Sequence, residues 1–339
     1  MSEKPSRTCP FDVSLVIVNW NTRTELESCL RSFATTSKSV AVEIIVVDNA
    51  SVDGSPAMVR SEFPDVHLIA NSDNKGFAGG VNQGIRAALG KYIFVLNSDI
   101  VSQEGTLLKL IAAMDASPEV GAIAPRLINS DGSLQKDFFR KLPTLLQVLL
   151  FYTALSNVAK SQPRLVRKYF EETTDELVPE YDVQQIPGGC IMVRREVIDR
   201  VGMMDEQFVL FFEDVDWCYR IREGGWKLRI INTVSMIHLG GRSFIGRDRT
   251  WMLGRFMLSL NQYVDKHGSL WFRISTKVLT FGNSFIIFLI RVIQKTILKG
   301  IQQKQSFQES YRSHSYLLKL FLEYYTGMTF SKISKRDSK

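Results

Sequence analysis

Cysteine is scarce in this 339-residue chain. Its four residues, Cys9, Cys29, Cys190 and Cys218, include no closely spaced pair. That excludes a zinc knuckle and a CxxC redox site, and the thiols read as isolated buried side chains. A signal-peptide apolar region is missing as well. The N-terminus, MSEKPSRTCP, is polar and runs directly into the first apolar strand, so a reducing, cytosolic location is expected. No stretch reaches the roughly 18–20 apolar residues that a membrane-spanning helix needs. Residues 142–159 and 278–290 come near, but Pro143, Gly282 and polar residues interrupt them, so each suits a buried helix or one lying in a membrane interface. No GxGxxG or GxxxxGK[ST] loop opens the first helix, which removes the main support for a dinucleotide or P-loop site. There is no internal repeat.

What is present is globular. With 45% hydrophobic and 23% charged residues, the chain is neither disordered, collagen-like nor a disulfide scaffold, and it has room for one large domain or two modest ones. The net charge of +7 is unevenly spread: residues 242–339 hold 17 Lys+Arg and 5 Asp+Glu, residues 1–241 hold 25 and 30. The positive charge belongs to the tail and points to an anionic partner there, a nucleic acid or a membrane surface.

The first hundred residues alternate strand and helix. The continuous apolar run at 13–18 reads as a strand covered on both faces, 42–47 as a second buried strand, and 66–70 and 91–96 as a third and a fourth, with helices predicted over 24–35 and 77–89. That is the pattern of a parallel α/β sheet, in which ligands sit beyond the carboxyl ends of the strands. Each of those ends carries Asn or Asp: Asn19 and Asn21, Asp48 and Asn49, residues 71–75, and Asn97–Asp99. Four such ends at one rim predict a polar ligand site. Further on, a helix is expected over 104–115, a strand over 120–128, a strand within 186–193 that begins behind two glycines, a helix following the acids at 213–216, and a short strand over 227–231 leading to His238. Residues 138–180 read as irregular, and helices fill the chain from about 250 onwards.

Three features carry chemistry. Asp99 closes a buried strand, where a carboxylate can bind a divalent metal that bridges a diphosphate; a turn-former is the plainer reading. Glu213, Asp214 and Asp216 lie among Phe211, Phe212 and Trp217. A helix N-terminus accounts for one acid, but three clustered carboxylates repel, and a desolvated one with a raised pKa suits a general base. His238 precedes Gly240-Gly241-Arg242, a placement open to metal ligation, and Arg242 suits a phosphate.

Together these residues form an ordered series: SLVIVNWN at 14–21, VVDNASVDGS at 46–55, NKGFAGGVNQG at 74–84, LNSD at 96–99, GGCIMVRREVIDRVGMMDEQF at 188–208, FFEDVDWCYRIREGGW at 211–226 and HLGGRS at 238–243. The series resembles the family 2 inverting glycosyltransferases of the GT-A fold, particularly their rhamnosyltransferase-like branch, over about residues 12–245. The resemblance implies a Rossmann-like, mostly parallel sheet flanked by helices, with a catalytic domain at 1–245 and a basic helical extension at 246–339. It implies that Asp48 contacts the nucleotide base or ribose with Asn19 and Asn21 nearby. Asn74, Gly76, Phe77 and Asn82 would shape the nucleotide-sugar pocket. Asp99, at the end of a DxD-type motif whose first position is Asn97 here, would hold Mg2+ or Mn2+ together with His238. Asp214 would be the catalytic base, Glu213 and Asp216 would orient the acceptor or cap the helix, and Trp217, Gly188 and Gly189 would lie with Asp216 on the acceptor side.

The expected reaction moves a sugar, with L-rhamnose from dTDP-rhamnose the first reading, onto a lipid-linked or polysaccharide acceptor. The alternatives are a UDP-sugar donor and a catalytically silent nucleotide-sugar-binding subunit. For the tail, no nucleic-acid motif is found and aromatic residues sit within apolar runs. Lys277 and Arg291 instead bracket an apolar stretch, as expected at the inner face of the cell membrane; a helical cap on the catalytic domain is the alternative.

Overall fold

The computed structural model describes residues 9–36, 40–135, 141–153, 155–162, 164, 178–208, 210–240, 249–297 and 319. Arg242 lies outside them. The chain divides into two compact units. One comprises Met1–Lys141, Phe170–Glu206 and Glu213–Ser243; the other comprises Leu142–Tyr169, Gln207–Phe212 and Phe244–Lys339.

The first unit runs β1 (Phe11–Asn19), α1 (Arg23–Thr36), β2 (Val42–Asp48), α2 (Ser55–Glu62), β3 (His67–Ala70), α3 (Gly76–Ala87), β4 (Gly90–Asn97), β5 (Ile100–Val101), α4 (Thr106–Ala116) and β6 (Val120–Ile128). The second unit contributes the short helices α5 (Leu145–Phe151) and α6 (Ser156–Lys160). The chain then returns to the first unit with β7 (Glu180–Val183), β8 (Cys190–Arg194), α7 (Arg195–Val201), α8 (Glu213–Glu223) and β9 (Lys227–His238). The second unit closes with α9 (Arg249–His267) and α10 (Leu270–Ile297).

One sheet organises the first unit, in the order β3-β2-β1-β4-β8-β6-β9-β5, with β7 also paired to β9. The first four strands are parallel, as their sequence pattern predicts, while β8 runs antiparallel between β4 and β6. The sheet is therefore mixed. Its apolar runs are continuous because both faces are covered. Val13, Leu15 and Ile17 of β1 join Leu26, Leu30 and Phe33 of α1 and Leu110 of α4 on one side. Val16 and Val18 join Val81 and Ile85 of α3, Val197 of α7 and Trp217 of α8 on the other.

Several elements differ from expectation. Helix α2 was not predicted; its signal was Asp53-Gly54-Ser55-Pro56, in which Pro56 opens the helix and Asp53 Oδ1 accepts from Ser55 N at 3.0 Å. As expected, β8 begins behind Gly188 and Gly189, which form the turn before it, and Cys190 N donates to Pro187 O. Strand β9 does not stop at 231 but continues to His238, through a register shift opposite Pro125 and Arg126. Pro125 has no N–H to give the ladder, which favours the irregularity there.

In the second unit, the 142–159 stretch forms the two short helices α5 and α6. Val148 and Phe151 are buried, while Leu145, Leu146, Leu155 and Val158 are exposed. Phe256 of α9 packs against Tyr152, Phe211 and Phe212 at ring-centroid distances of 5.1, 5.7 and 5.2 Å. Helix α10 corrects the expectation that no stretch is long enough to span a membrane. Leu270–Ile290 is long and apolar enough by length and composition, because the helix continues without a break through Arg273, Lys277 and Gly282. Its polarity is turned inside out. Thr276, Thr280 and Ser284 are buried, with Asn261 Nδ2 of α9 donating to Thr280 Oγ1 at 3.3 Å, and Lys277 pairs with Asp265 at 2.7 Å. Trp271, Ile274, Val278, Phe285, Ile286 and Leu289 are exposed.

Candidate active site

The predicted rim exists within the first unit. Asn19 ends β1 and pairs in register with Asp48 at the end of β2. Both are buried, and Asn19 Nδ2 donates to Asp48 Oδ2 at 2.8 Å. The other oxygen of Asp48 accepts from Ser51 N at 2.8 Å. Asn19 Oδ1 accepts from Thr22 Oγ1 at 2.7 Å, and Thr22 in turn contacts Ser98 Oγ at 2.7 Å. Asn21, in the left-handed region at φ 54°, receives Val52 N on its Oδ1 at 2.8 Å. Asp48 and Asn21 thus hold the 49–53 loop against the end of β1. Ser51 and Thr22 belong to this network although their residue types carried no separate signal in the sequence.

The next rim segment is an amide ladder. Asn71 Nδ2 donates to Asn49 Oδ1 at 3.1 Å, and Asn49 Nδ2 donates to Gly76 O at 3.0 Å. Exposed Asn74 accepts from Gly76 N at 2.8 Å and turns the chain into α3, where Phe77 packs against the core. Asn82 lies deeper. Its side chain donates to Met204 O and Glu206 Oε1, both at 2.8 Å, and accepts from Met204 N at 3.0 Å. It braces α3 to the 204–206 segment rather than facing open space.

The carboxylates meet the rim at two glycines. Gly188 N donates to Asp214 Oδ2 at 2.9 Å, and a Cβ on Gly188 would fall 2.5 Å from Asp214 Cβ. A Cβ on Gly189 would fall 2.4 Å from Asn97 Nδ2, while Asn97 N donates to Gly189 O at 2.8 Å. Only hydrogen fits at either place, so the Gly188-Gly189 pair joins the start of α8 to the end of β4. The first residues of α8 are approached through Phe211 and Phe212, both left-handed at φ 66° and 67°. Non-glycine residues held there cost about 1–3 kcal/mol each, a strain found most often at functional sites.

Burial raises the pKa of both acids. Glu213 is pushed up to about 8 by desolvation and then by the neighbouring charge of Asp214. Desolvation also raises Asp214, against the backbone N–H groups of Gly188 and Val215 that favour its ionised form. Glu213 Oε2 accepts no hydrogen bond. Backbone N–H donors therefore favour the ionised form of Asp214 and give no such support at Glu213 Oε2. Asp216 and Trp217 are fully buried. Asp216 pairs with Arg220 at 2.8 Å, whose guanidinium caps Val201 O and Met203 O, and Trp217 Nε1 donates to Gly202 O at 2.9 Å. Both residues hold α8 against the end of α7.

Asp99 and His238 do meet. Ile100 pairs with His238 across β5 and β9, Leu239 N donates to Asp99 O, and His238 Nε2 lies 3.3 Å from Asp99 Oδ1. Two ligand atoms on adjacent corners of an octahedral ion at about 2.1 Å sit about 3 Å apart, so this pair suits a divalent cation. Among the described residues no third His, Cys, Asp or Glu joins them. Gln135, which no motif marked, contacts the other ring nitrogen, Nδ1, at 2.9 Å.

The chain is similar to known proteins in sequence and in fold. Residues 14–202 match the family described as Glycosyl transferase family 2. The chain is 27% identical over 270 residues to the N-acetylglucosaminyl-diphospho-decaprenol L-rhamnosyltransferase of Mycobacterium tuberculosis, covering 76% of this chain and 85% of that one. It is 28% identical over 233 residues to the dTDP-rhamnosyl transferase RfbF of Shigella flexneri, covering 68% and 70%. In fold it is similar to the mannosyltransferase PcManGT from Pyrobaculum calidifontis, solved in complex with GDP-Man and Mn2+, with a TM-score of 0.53 at 16% identity over 94% of this chain and 88% of that one. The mixed, mostly parallel sheet flanked by helices is GT-A-like, and the chain belongs to glycosyl transferase family 2, where it is similar to rhamnosyltransferase members.

Proposed function

We propose that this glycosyltransferase moves a sugar from a nucleotide-sugar donor to a lipid-linked or polysaccharide acceptor by a single inverting displacement, with L-rhamnose from dTDP-rhamnose as the first candidate donor. The observation that carries the reading is Asp214, a half-buried carboxylate oriented by Gly188 N beside the Gly189–Asn97 contact at the end of β4. Asp214 takes the acceptor hydroxyl's proton as that oxygen attacks the anomeric carbon. Burial and the neighbouring Asp214 charge raise the Glu213 pKa to about 8, which favours its neutral form beside the base. Asp99 and His238 would hold Mg2+ or Mn2+, which when bound neutralises charge on the departing nucleoside diphosphate. Asn19, Asn21 and Asp48 would fix the loop beside the donor, with Asn97 at the end of β4 and Asn74 just before α3 assigned to the same donor. Arg242 is assigned to the diphosphate by its sequence alone.

We assign chemistry to residues 1–245 and attachment to residues 246–339. The exposed apolar stripe of α10 and the basic tail support docking on the anionic, cytoplasmic face of the cell membrane. A UDP-sugar-using enzyme remains the alternative in the same class. A silent nucleotide-sugar-binding subunit has no need of Asp99, Asp214 and His238 together. Donor hydrolysis measured across dTDP-, UDP- and GDP-sugars tests the reading: preferential dTDP-rhamnose turnover supports it, and turnover of a UDP-sugar alone replaces the donor.

A further inference from the structure

The hairpin at residues 129–135 contains a chain of hydrogen bonds whose direction is set from one end. Asp131 Oδ1 accepts both Ser133 N at 2.9 Å and Ser133 Oγ at 2.6 Å. An ionised carboxylate only accepts, so the Ser133 hydroxyl hydrogen is committed to it. Ser133 Oγ is then the acceptor for Asn129 Nδ2 at 2.8 Å. That turns Asn129 Oδ1 towards Gln135, whose Nε2 donates to it at 2.9 Å and to His238 O at 2.9 Å. With both Nε2 hydrogens spent, Gln135 presents Oε1 to His238 Nδ1 at 2.9 Å. The ring nitrogen facing an amide oxygen must carry hydrogen.

Backbone contacts hold the hairpin around this relay. Asn129 N donates to Ser133 O, Gln135 N donates to Leu127 O, and Ile128 bridges Leu134. The opposite nitrogen, Nε2, faces Asp99 at 3.3 Å. Two acceptors, Gln135 Oε1 and Asp99 Oδ1, therefore compete for the single hydrogen of a neutral imidazole.

We infer that Gln135 is a positioning residue: the relay from Asp131 through Ser133 and Asn129 locks His238 as its Nδ1–H tautomer and presents an unprotonated Nε2 beside Asp99 for a divalent cation. The inference rests on the metal reading above and goes beyond it, since it assigns a supporting hairpin that carries no glycosyltransferase motif. Metal-bound histidines commonly donate their second nitrogen in this way, and loss of such a partner weakens metal binding by about 10–100-fold.

The test uses full-length protein with 15N-labelled histidine, recorded metal-free at alkaline pH, with the His238 signals identified by their loss in His238→Ala. Wild type is expected to show protonated Nδ1 and unprotonated Nε2. Gln135→Met is expected to move hydrogen to Nε2, towards Asp99, and to weaken Mn2+ binding, read by electron paramagnetic resonance of the free ion, by about tenfold or more. Gln135→Glu, which keeps an oxygen for Nδ1–H, is expected to restore the tautomer. An Nε2–H tautomer in wild type, an unchanged tautomer in Gln135→Met, or a changed tautomer with unchanged Mn2+ affinity each overturns the inference. Wild type that shows Nδ1–H yet binds no Mn2+ overturns the metal reading and leaves the tautomer lock standing.

Discussion

Gly188 approaches Asp214 so closely that its amide donates to the carboxylate at 2.9 Å and a Cβ in its place would lie 2.5 Å from Asp214 Cβ. The position of the proposed base is thus set by a residue 26 places earlier in the chain. Gly188→Ala should push Asp214 off its line while leaving the rim at Asn19 and Asp48 in place. We expect kcat to fall about 100-fold, the scale of an ångström-sized misplacement, with donor affinity little changed. Steady-state kinetics with a donor titration checks this, and a normal kcat would detach Gly188 from the chemistry.

Asp214→Asn keeps the size of the side chain and removes the base. Transfer should drop by about 10²–10⁴-fold while nucleotide-sugar binding persists. Substantial remaining turnover would take Asp214 out of the base role.

The pair at 213–214 also makes stability depend on pH. Glu213 is raised from an ordinary value of 4.5 to about 8 in the folded protein. Between those values the native state holds a proton that the unfolded chain has lost. The stabilising contribution is complete below about 4.5 and disappears as pH rises through about 8. Glu213→Gln cannot ionise and should keep that contribution. Thermal midpoints of both proteins at acid, neutral and alkaline pH should diverge in favour of the variant towards alkaline pH. A constant difference would show that Glu213 titrates normally.

Asp99→Ala and His238→Ala each remove one of the two atoms that converge at 3.3 Å. Each should weaken Mn2+ binding and metal-assisted donor binding by at least about tenfold. Chelation with EDTA should stop turnover, and full activity in EDTA would end the metal hypothesis.

The apolar stripe of α10 gives a separate test. Val278→Asp and Ile286→Asp place charge on exposed positions and should reduce flotation with anionic vesicles without changing the protein's thermal midpoint. Removing the chain after about residue 250 should leave a fraction that no longer floats. Equal flotation of the aspartate variants would assign the tail to a structural cap.

Much of this molecule was legible in its sequence. The runs at β1, β2 and β4 are continuous because helices cover both sheet faces, so local hydrophobicity alone identifies them as buried strands. The Asn and Asp residues that follow stand at the carboxyl ends of those strands, where parallel α/β sheets take their ligands. Asn19, Asp48, Asn97 and Asp99 could therefore be found by position. The sequence leaves Asp216 to orient an acceptor or cap the helix, because a cluster of acids beside aromatic residues reads the same in both cases; the structure adds the partners, Arg220 for Asp216 and Gly202 O for Trp217.

Composition, charge asymmetry and ordered motifs by themselves determined the α/β class, the family and the residues at the strand ends, because each depends on local pattern. Tertiary structure decided which of those residues meet. His238 reaches Asp99 because β9 continues past the irregularity opposite Pro125 and pairs with β5. Gln135 reaches His238 across 103 residues by a hairpin with no motif of its own. Contacts of that kind follow from strand order and register, and they leave no periodic signal in the chain.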